Sequence, residues 1–92
     1  MINGNVNEFI EGLYWGDERI FLYNGQKFFI QGYLKDEALT LFLDRWIPPA
    51  DDYIWNKAGD RNNYPVEDFL NAKIFDGKSF WEVEQEIEWV DD

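Results

Sequence analysis

Apolar residues recur with helical spacing near the start of the chain. They fall at i, i+3, i+4, i+7 and i+8, and they are Val6, Phe9, Ile10, Leu13 and Tyr14. Such a stripe is one face of an amphipathic helix. Asn5 and Glu8 have the spacing of a capping box, and Gly16 is placed to end the helix. The pattern predicts a helix from about Val6 to Trp15.

Two apolar runs flank Asn24-Gly25 and predict a β-hairpin. A two-residue turn would pair Leu22 with Lys27 and mix polar and apolar side chains on one face. A three-residue loop pairs Leu22 with Gln26 and separates the polar from the apolar side chains better. We expect that register, because a one-residue slip exchanges the faces of a strand. One face then carries Ile20, Leu22, Phe28, Ile30 and Leu34. The other carries Arg19, Phe21, Lys27, Phe29, Gln31 and Tyr33.

Leucines alternate with other side chains after the hairpin, which predicts a third strand and an antiparallel meander. Leu39, Leu41 and Leu43 extend the aliphatic face, which we expect to receive the helices. The opposite face is aromatic, whereas a half-exposed sheet is normally polar on that side. This face carries Phe21, Phe29, Tyr33, Phe42 and Trp46. We expect segment 47–59 to cover it, and the alternative is contact with a partner, including self-association of the chain.

Polar and turn-forming residues dominate from Ala50 to Tyr64, which predicts a long surface loop with one helical turn near Tyr53. Pro48-Pro49 ends the third strand, because neither prolyl nitrogen can donate a hydrogen bond to a sheet. Pro65 suits the first position of a short helix. That helix would face the core with Val66, Phe69 and Leu70.

The stretch from Ser79 to Val90 fits two kinds of structure. Apolar residues alternate with glutamates between Trp81 and Trp89, which is the period of a strand. A second set is spaced 3-4-3, which is helical, and consists of Phe80, Val83, Ile87 and Val90. Ser79 and Glu82 form a capping-box pattern, and glutamate is a better helix former than strand former. We therefore expect a helix, although like-charged glutamates four residues apart oppose it.

Together these elements predict a single α+β domain over residues 1–92. Its order is an N-terminal helix, a three-stranded antiparallel meander, a long loop and two C-terminal helices. The 92 residues are 46% apolar and 20% aromatic, which is enough to build a core. Disorder is not expected, because disordered chains are poor in aromatic residues.

The composition removes most catalytic chemistry. The chain has no cysteine and no histidine, so it offers no thiol nucleophile, thiolate zinc site or imidazole base. Ser79 is the only serine and Thr40 the only threonine. The acidic residues lack the glycine and the spacing of a calcium loop. We therefore expect no enzyme, no cofactor and no metal site.

The apolar runs are short as well. None approaches the roughly 18 residues of a membrane span, and the chain starts without a basic and apolar signal region. These features predict a cytoplasmic protein that does not bind membranes.

The net charge of −11 is concentrated in the second half of the chain, where residues 47–92 hold twelve acids and four bases. Such a surface repels nucleic acid and attracts a basic protein. The hypothesis is a non-catalytic protein-interaction domain with a partner site at Trp81, Glu82, Glu84, Glu86, Glu88, Trp89, Asp91 and Asp92. The alternatives are a nucleic-acid mimic that inhibits a defence nuclease, a homodimer formed through the aromatic sheet face, and an acidic surface that only confers solubility.

Three stretches carry a resemblance that would cover nearly the whole chain. They are "YNGQKFFIQGY", "DDYIWNKAG" and "IFDGKSFWEVEQEIEW". In these stretches the sequence resembles small uncharacterised acidic proteins of Gram-positive gut bacteria and their mobile elements. The resemblance implies no activity and no functional residues, and it implies an accessory role on a phage or conjugative element.

Overall fold

A computed structural model of the chain describes residues 1–51 and 53–90, and there it shows an α+β fold with three helices and five strands. In chain order the elements are α1 (Val6–Tyr14), β1 (Arg19–Tyr23), β2 (Gln26–Lys35), β3 (Ala38–Arg45), β4 (Trp55–Ala58), α2 (Val66–Asn71), α3 (Phe80–Val83), a 3₁₀ turn (Glu84–Glu86) and β5 (Glu88–Trp89). The strands form one antiparallel sheet in the order β4-β3-β2-β1-β5. The predicted meander is therefore its centre, with two further strands at its edges.

The first helix confirms its prediction closely. The side chain of Asn5 caps it by accepting hydrogen bonds from the backbone N–H groups of Asn7 and Glu8, at 2.9 and 3.2 Å. Gly16 ends it with a φ of +76°, where a Cβ atom would lie 3.2 Å from the backbone of Gly32. The end of α1 is thus held close against β2.

The register of the first hairpin differs from the prediction. Asn24 and Gly25 form a two-residue turn with φ values of 52° and 79°, and Leu22 pairs with Lys27. Positive φ at both turn residues gives the turn a twist that matches the twist of the flanking strands, and Asn-Gly is the residue pair that favours this turn. This preference of the turn outweighs the cleaner separation of polar and apolar side chains that a three-residue loop would give. Strand β1 is consequently turned over, so that Phe21 faces the core. Ile20 and Leu22 lie on the opposite side of the sheet.

All three helices pack on the face of the sheet that carries Phe21. Phe9 of α1 lies at the centre, with its ring centroid 6.0 Å from Phe21, 5.8 Å from Phe80 of α3 and 5.6 Å from Trp89 of β5. Phe69 of α2 joins this cluster through Phe80, at 6.0 Å. One aromatic core therefore connects every helix to the sheet. The predicted inward positions of α2 and of the leucines of β3 are buried.

The other side of the sheet, called the outer face below, is defined by the strand register. It consists of Ile20, Leu22, Lys27, Phe29, Gln31, Tyr33, Lys35, Ala38, Thr40, Phe42, Asp44, Asn56, Ala58 and Glu88. Trp46 and Tyr53 adjoin it through ring contacts. Of the five aromatic residues predicted for this face, Phe21 is the exception, because the two-residue turn places it in the core.

The segment after β3 was expected to be a loop that covers the outer face. It contains β4 instead, which pairs with β3 and places Trp55 in the core, 5.6 Å from the ring of Phe69. Tyr53 does lie against Phe42, whereas Ile47 is 75% exposed. The cover is therefore partial, since Ile54 and Trp55 pack against the core and Ile47 faces solvent.

The closing stretch begins as the helix that the capping box of Ser79 and Glu82 predicts, but this helix does not continue to Val90. The stretch makes one helical turn, one 3₁₀ turn and a two-residue strand. Trp89 pairs with Phe21, and its backbone N–H donates to the carbonyl of Ile2 at 3.0 Å. This segment is therefore paired with chain on both sides, which satisfies backbone groups that the end of a helix would leave without hydrogen bonds. The strand also avoids the repulsion between glutamates four residues apart on a continuous helix. Both sequence patterns are thus partly realised, because Phe80, Val83 and Ile87 are buried as the helical stripe requires.

Across the part of the chain that the structure describes, no helix is long and apolar enough to cross a membrane.

Candidate functional site

The two tryptophans of the predicted acidic site have different environments. Trp81 is 52% exposed on α3. Trp89 is half-buried, because its ring packs against Phe9 and the guanidinium carbon of Arg19 lies 4.9 Å from its centroid. Trp89 is therefore part of the core edge, and of these two tryptophans only Trp81 has a largely exposed ring.

Three glutamates of the predicted site have partners within the chain. Glu82 accepts a hydrogen bond from Lys73 at 2.8 Å, Glu84 contacts the amino group of Met1, and Glu88 accepts one from Asn3 at 3.2 Å. Glu86 is exposed on the 3₁₀ turn. Asp91 and Asp92 lie outside the described residues. The acidic segment is consequently divided among several contacts instead of forming one continuous charged helix.

Glu82 is the acidic residue whose titration the surroundings alter most clearly. Its carboxylate accepts hydrogen bonds from Lys73 and from the backbone N–H and hydroxyl of Ser79, the last two at 3.2 Å. The hydrogen bond from Lys73, followed by the backbone bond from Ser79, lowers the pKa of Glu82 below its ordinary value of 4.5. This carboxylate holds the start of α3 to the chain that precedes it.

The outer face carries a row of aromatic rings. Neighbouring centroids are separated by 4.7 Å from Tyr53 to Phe42, 6.2 Å from Phe42 to Phe29 and 6.0 Å from Phe29 to Trp46. The ammonium group of Lys27 lies 4.7 Å from the centroid of Trp46, within the range of a cation–π interaction. Trp46 and Tyr53 are 40% and 48% exposed, so the ends of the row face solvent.

The outer face is also balanced in charge, unlike the rest of the chain. Its charged members are the two bases Lys27 and Lys35 and the two acids Asp44 and Glu88, which sum to zero. Asp44 is buried and accepts hydrogen bonds from the backbone N–H groups of Arg45 and Ala50, at 2.7 and 3.0 Å. The outer face, as the strand register defines it, therefore adds nothing to the net charge of −11.

A groove of about 420 Å³ lies at the C-terminal end of α1 and is called the α1 groove here. It is lined by Glu11, Tyr14, Trp15, Leu34 and Tyr64. The rings of Tyr14 and Tyr64 are 6.5 Å apart, and the hydroxyl of Tyr64 donates to the carbonyl of Glu37 at 3.1 Å. Trp15 is 70% exposed. Three chain segments thus meet around an open set of aromatic rings with one carboxylate.

A second hollow of about 260 Å³ lies on the other side of Trp15. Its lining consists of Glu8, Glu11, Gly12, Trp15, Asp17 and Arg19. Arg19 reaches across α1, where its guanidinium donates to the carbonyl of Glu8 at 3.5 Å. A Cβ atom on Gly12 would lie 1.9 Å from that guanidinium, so glycine makes room for it. Trp15 and Glu11 border both hollows.

The α1 groove was missed by reasoning from the sequence. Tyr14 fits the apolar stripe of α1, which assigns it to the core, yet it is 40% exposed. One signal was available, since Trp15 falls off that stripe just before Gly16. Tyr64 belongs to the stretch that the sequence predicts to be a surface loop. Leu34 belongs to the second strand of the predicted hairpin. Only the fold brings them together.

Within residues 1–51 and 53–90, no group of three or more acidic side chains is arranged to hold a metal ion. Comparisons with protein-family models, with curated proteins and with solved structures returned no match.

Replacing Glu82 with glutamine is expected to change how stability depends on pH. Because the pKa of Glu82 is lowered by folding, its carboxylate stabilises the fold above the unfolded value of 4.5, and that stability is lost as the pH falls through the lowered folded pKa. Urea unfolding should therefore show the largest difference between the parent chain and Glu82→Gln near neutral pH.

The difference should shrink as the pH falls through the lowered folded pKa, because the carboxylate then becomes protonated in both states. Lys73→Gln is the matched variant, because it removes the strongest cause of the shift and should converge with the parent chain in the same way. A difference that stays constant between neutral and acid pH would contradict this role of Glu82.

Proposed function

We propose that the chain is a non-catalytic protein-binding domain whose partner is a basic protein. The observation that carries this proposal is the exposure of Trp15 and Trp81, at 70% and 52%, on a surface where carboxylates predominate. Tryptophan side chains that project from a surface are the usual energetic centres of protein interfaces. Surrounding carboxylates favour a partner of opposite charge.

The charge of the chain supports the same partner. At an ionic strength of 0.1 M, fields persist over about 10 Å, so the acids that surround an exposed ring act on an approaching surface together. Neighbouring acids of one sign raise the rate of encounter with a cationic surface and oppose an anionic one. The proposal therefore includes a strong dependence on salt.

Capture from a lysate of a Gram-positive bacterium, the source that the sequence resemblance implies, tests this function. The immobilised chain is compared with a double variant, Trp15→Ala with Trp81→Ala, in which both exposed rings are removed and the buried core is unchanged. We expect the retained proteins to be basic, to be lost from the double variant and to be released as salt rises toward about 0.5 M. Acidic or salt-insensitive partners, or equal retention by the double variant, would contradict the proposal.

Nucleic-acid mimicry is not the function that we propose. It requires carboxylates in a regular array, comparable to the phosphates of a duplex. Glu82, Glu84 and Glu88 are instead directed to partners within the chain, on three successive elements.

Self-association through the outer face is a second candidate, which the charge balance of that face favours. Two copies of a chain with a charge of −11 repel each other, and contact through a face without net charge adds least to that repulsion. A two-fold symmetric contact sets the same patch against itself, so a neutral aromatic face suits it. Tyr33 and Trp46 are 55% and 40% exposed there.

Sedimentation equilibrium at high protein concentration tests this second candidate. The parent chain is expected to form a dimer, and a variant with Tyr33→Glu and Trp46→Glu is expected to be monomeric, because each contact would then oppose two added negative charges. Trp81→Ala is the control and should leave the dimer intact. A monomeric mass for the parent chain at every concentration would rule out the homodimer.

A further inference from the structure

The α1 groove has a composition that fits a cation better than an apolar side chain. It offers the rings of Tyr14, Trp15 and Tyr64, and its fourth apolar member is Leu34. The remaining lining residue, Glu11, is acidic, and none of the five is basic. A groove for an apolar side chain gains nothing from a carboxylate, which would lose water on closure without gaining a partner.

The segment of the chain that forms the α1 side of the groove is acidic. Residues 5–18 contain the acids Glu8, Glu11, Asp17 and Glu18 and no base. The groove also lies at the C-terminal end of α1, where the backbone carbonyls carry a partial negative charge that stabilises a cation. Ring faces add to this attraction, because the quadrupole of an aromatic ring is negative at its face.

The fold already places a cation on a tryptophan ring twice. The guanidinium of Arg19 lies 4.9 Å from the centroid of Trp89 and 3.9 Å from the carboxylate of Asp17. Lys27 lies over Trp46 on the outer face. In this chain two tryptophan rings are thus already in contact with a cation. The α1 groove has no basic lining residue, so a cation bound there would come from another molecule.

We propose that the α1 groove binds the side chain of an arginine on the basic partner. Arginine fits better than lysine, because its planar guanidinium can stack on a ring while its N–H groups donate to a carboxylate such as that of Glu11. This inference rests on the proposed function, since it assigns the basic partner a docking site and a key residue. Trp15 provides the exposed ring face, and Glu11 provides the counter-charge.

Titration of the ¹⁵N-labelled chain, followed by NMR, tests this assignment with a defined probe. The probe is a short Gly-Ser-Arg repeat peptide, and the matched peptides carry lysine or the uncharged isostere citrulline in place of arginine. We expect the arginine peptide to shift the indole resonance of Trp15 and the amide resonances of Glu11 and Leu34. The lysine peptide should bind more weakly, and the citrulline peptide should produce no such shifts.

Two variants locate the binding energy. Trp15→Ala and Glu11→Gln should each weaken binding of the arginine peptide by about fivefold, the size of one exposed cation–π or charge contact. Ile47→Ala is the control, because it removes an exposed apolar side chain that does not line the groove, and it should bind like the parent chain. The amide spectra of all three variants report whether each variant retains the fold.

The outcomes separate this inference from the proposed function. Shifts around Trp81 and Glu86, with full binding by Trp15→Ala, would overturn the arginine groove and leave the function standing. Absence of binding by the arginine peptide anywhere on the chain would count against both. Equal binding of the lysine peptide would overturn the preference for a guanidinium group.

Discussion

The two-residue turn at Asn24-Gly25 is the constraint on which the rest of the structure depends. Both residues have positive φ, and this geometry pairs Leu22 with Lys27. It sends Phe21 into the core, where its ring meets Phe9 of α1 at 6.0 Å. Because the period of a strand is two, one residue of slippage would exchange Phe21 for Ile20 and Leu22 and leave Phe9 without that ring.

The same register determines the ends of the chain and the character of both sheet faces. Phe21 pairs with Trp89, so the closing stretch becomes an edge strand and its glutamates are divided among separate contacts. The outer face receives Ile20 and Leu22, and the charges of its members sum to zero. Our two functional candidates use different surfaces: one uses this charge-balanced aromatic face, and the other uses the exposed rings of Trp15 and Trp81.

Local patterns predicted those elements whose hydrophobic period and caps agree. Helix α1, with Asn5 at its cap and Gly16 at its end, is one such element, and the inward leucines of β3 are another. The face of β1 could not be read from polarity alone, because Phe21 and Leu22 are both apolar and the turn decides between them. Strand β4 could not be predicted, because it lies in a polar stretch. Asn56 and Lys57 belong to a strand only because they pair with β3. The α1 groove depends on residues from three segments, which no local pattern connects.

The register of the first hairpin is the part of this account that a single measurement tests most directly. Residues beside a two-residue turn form a hydrogen-bonded pair, and the next pair brings its Cα atoms to roughly 4.5 Å, which gives a strong nuclear Overhauser effect between the Hα atoms. We predict such cross-peaks between Leu22 and Lys27 and between Ile20 and Phe29. Cross-peaks that join Phe21 to Lys27 and Arg19 to Phe29 would show the three-residue loop, and would contradict the core, the edge strand and the neutral outer face together.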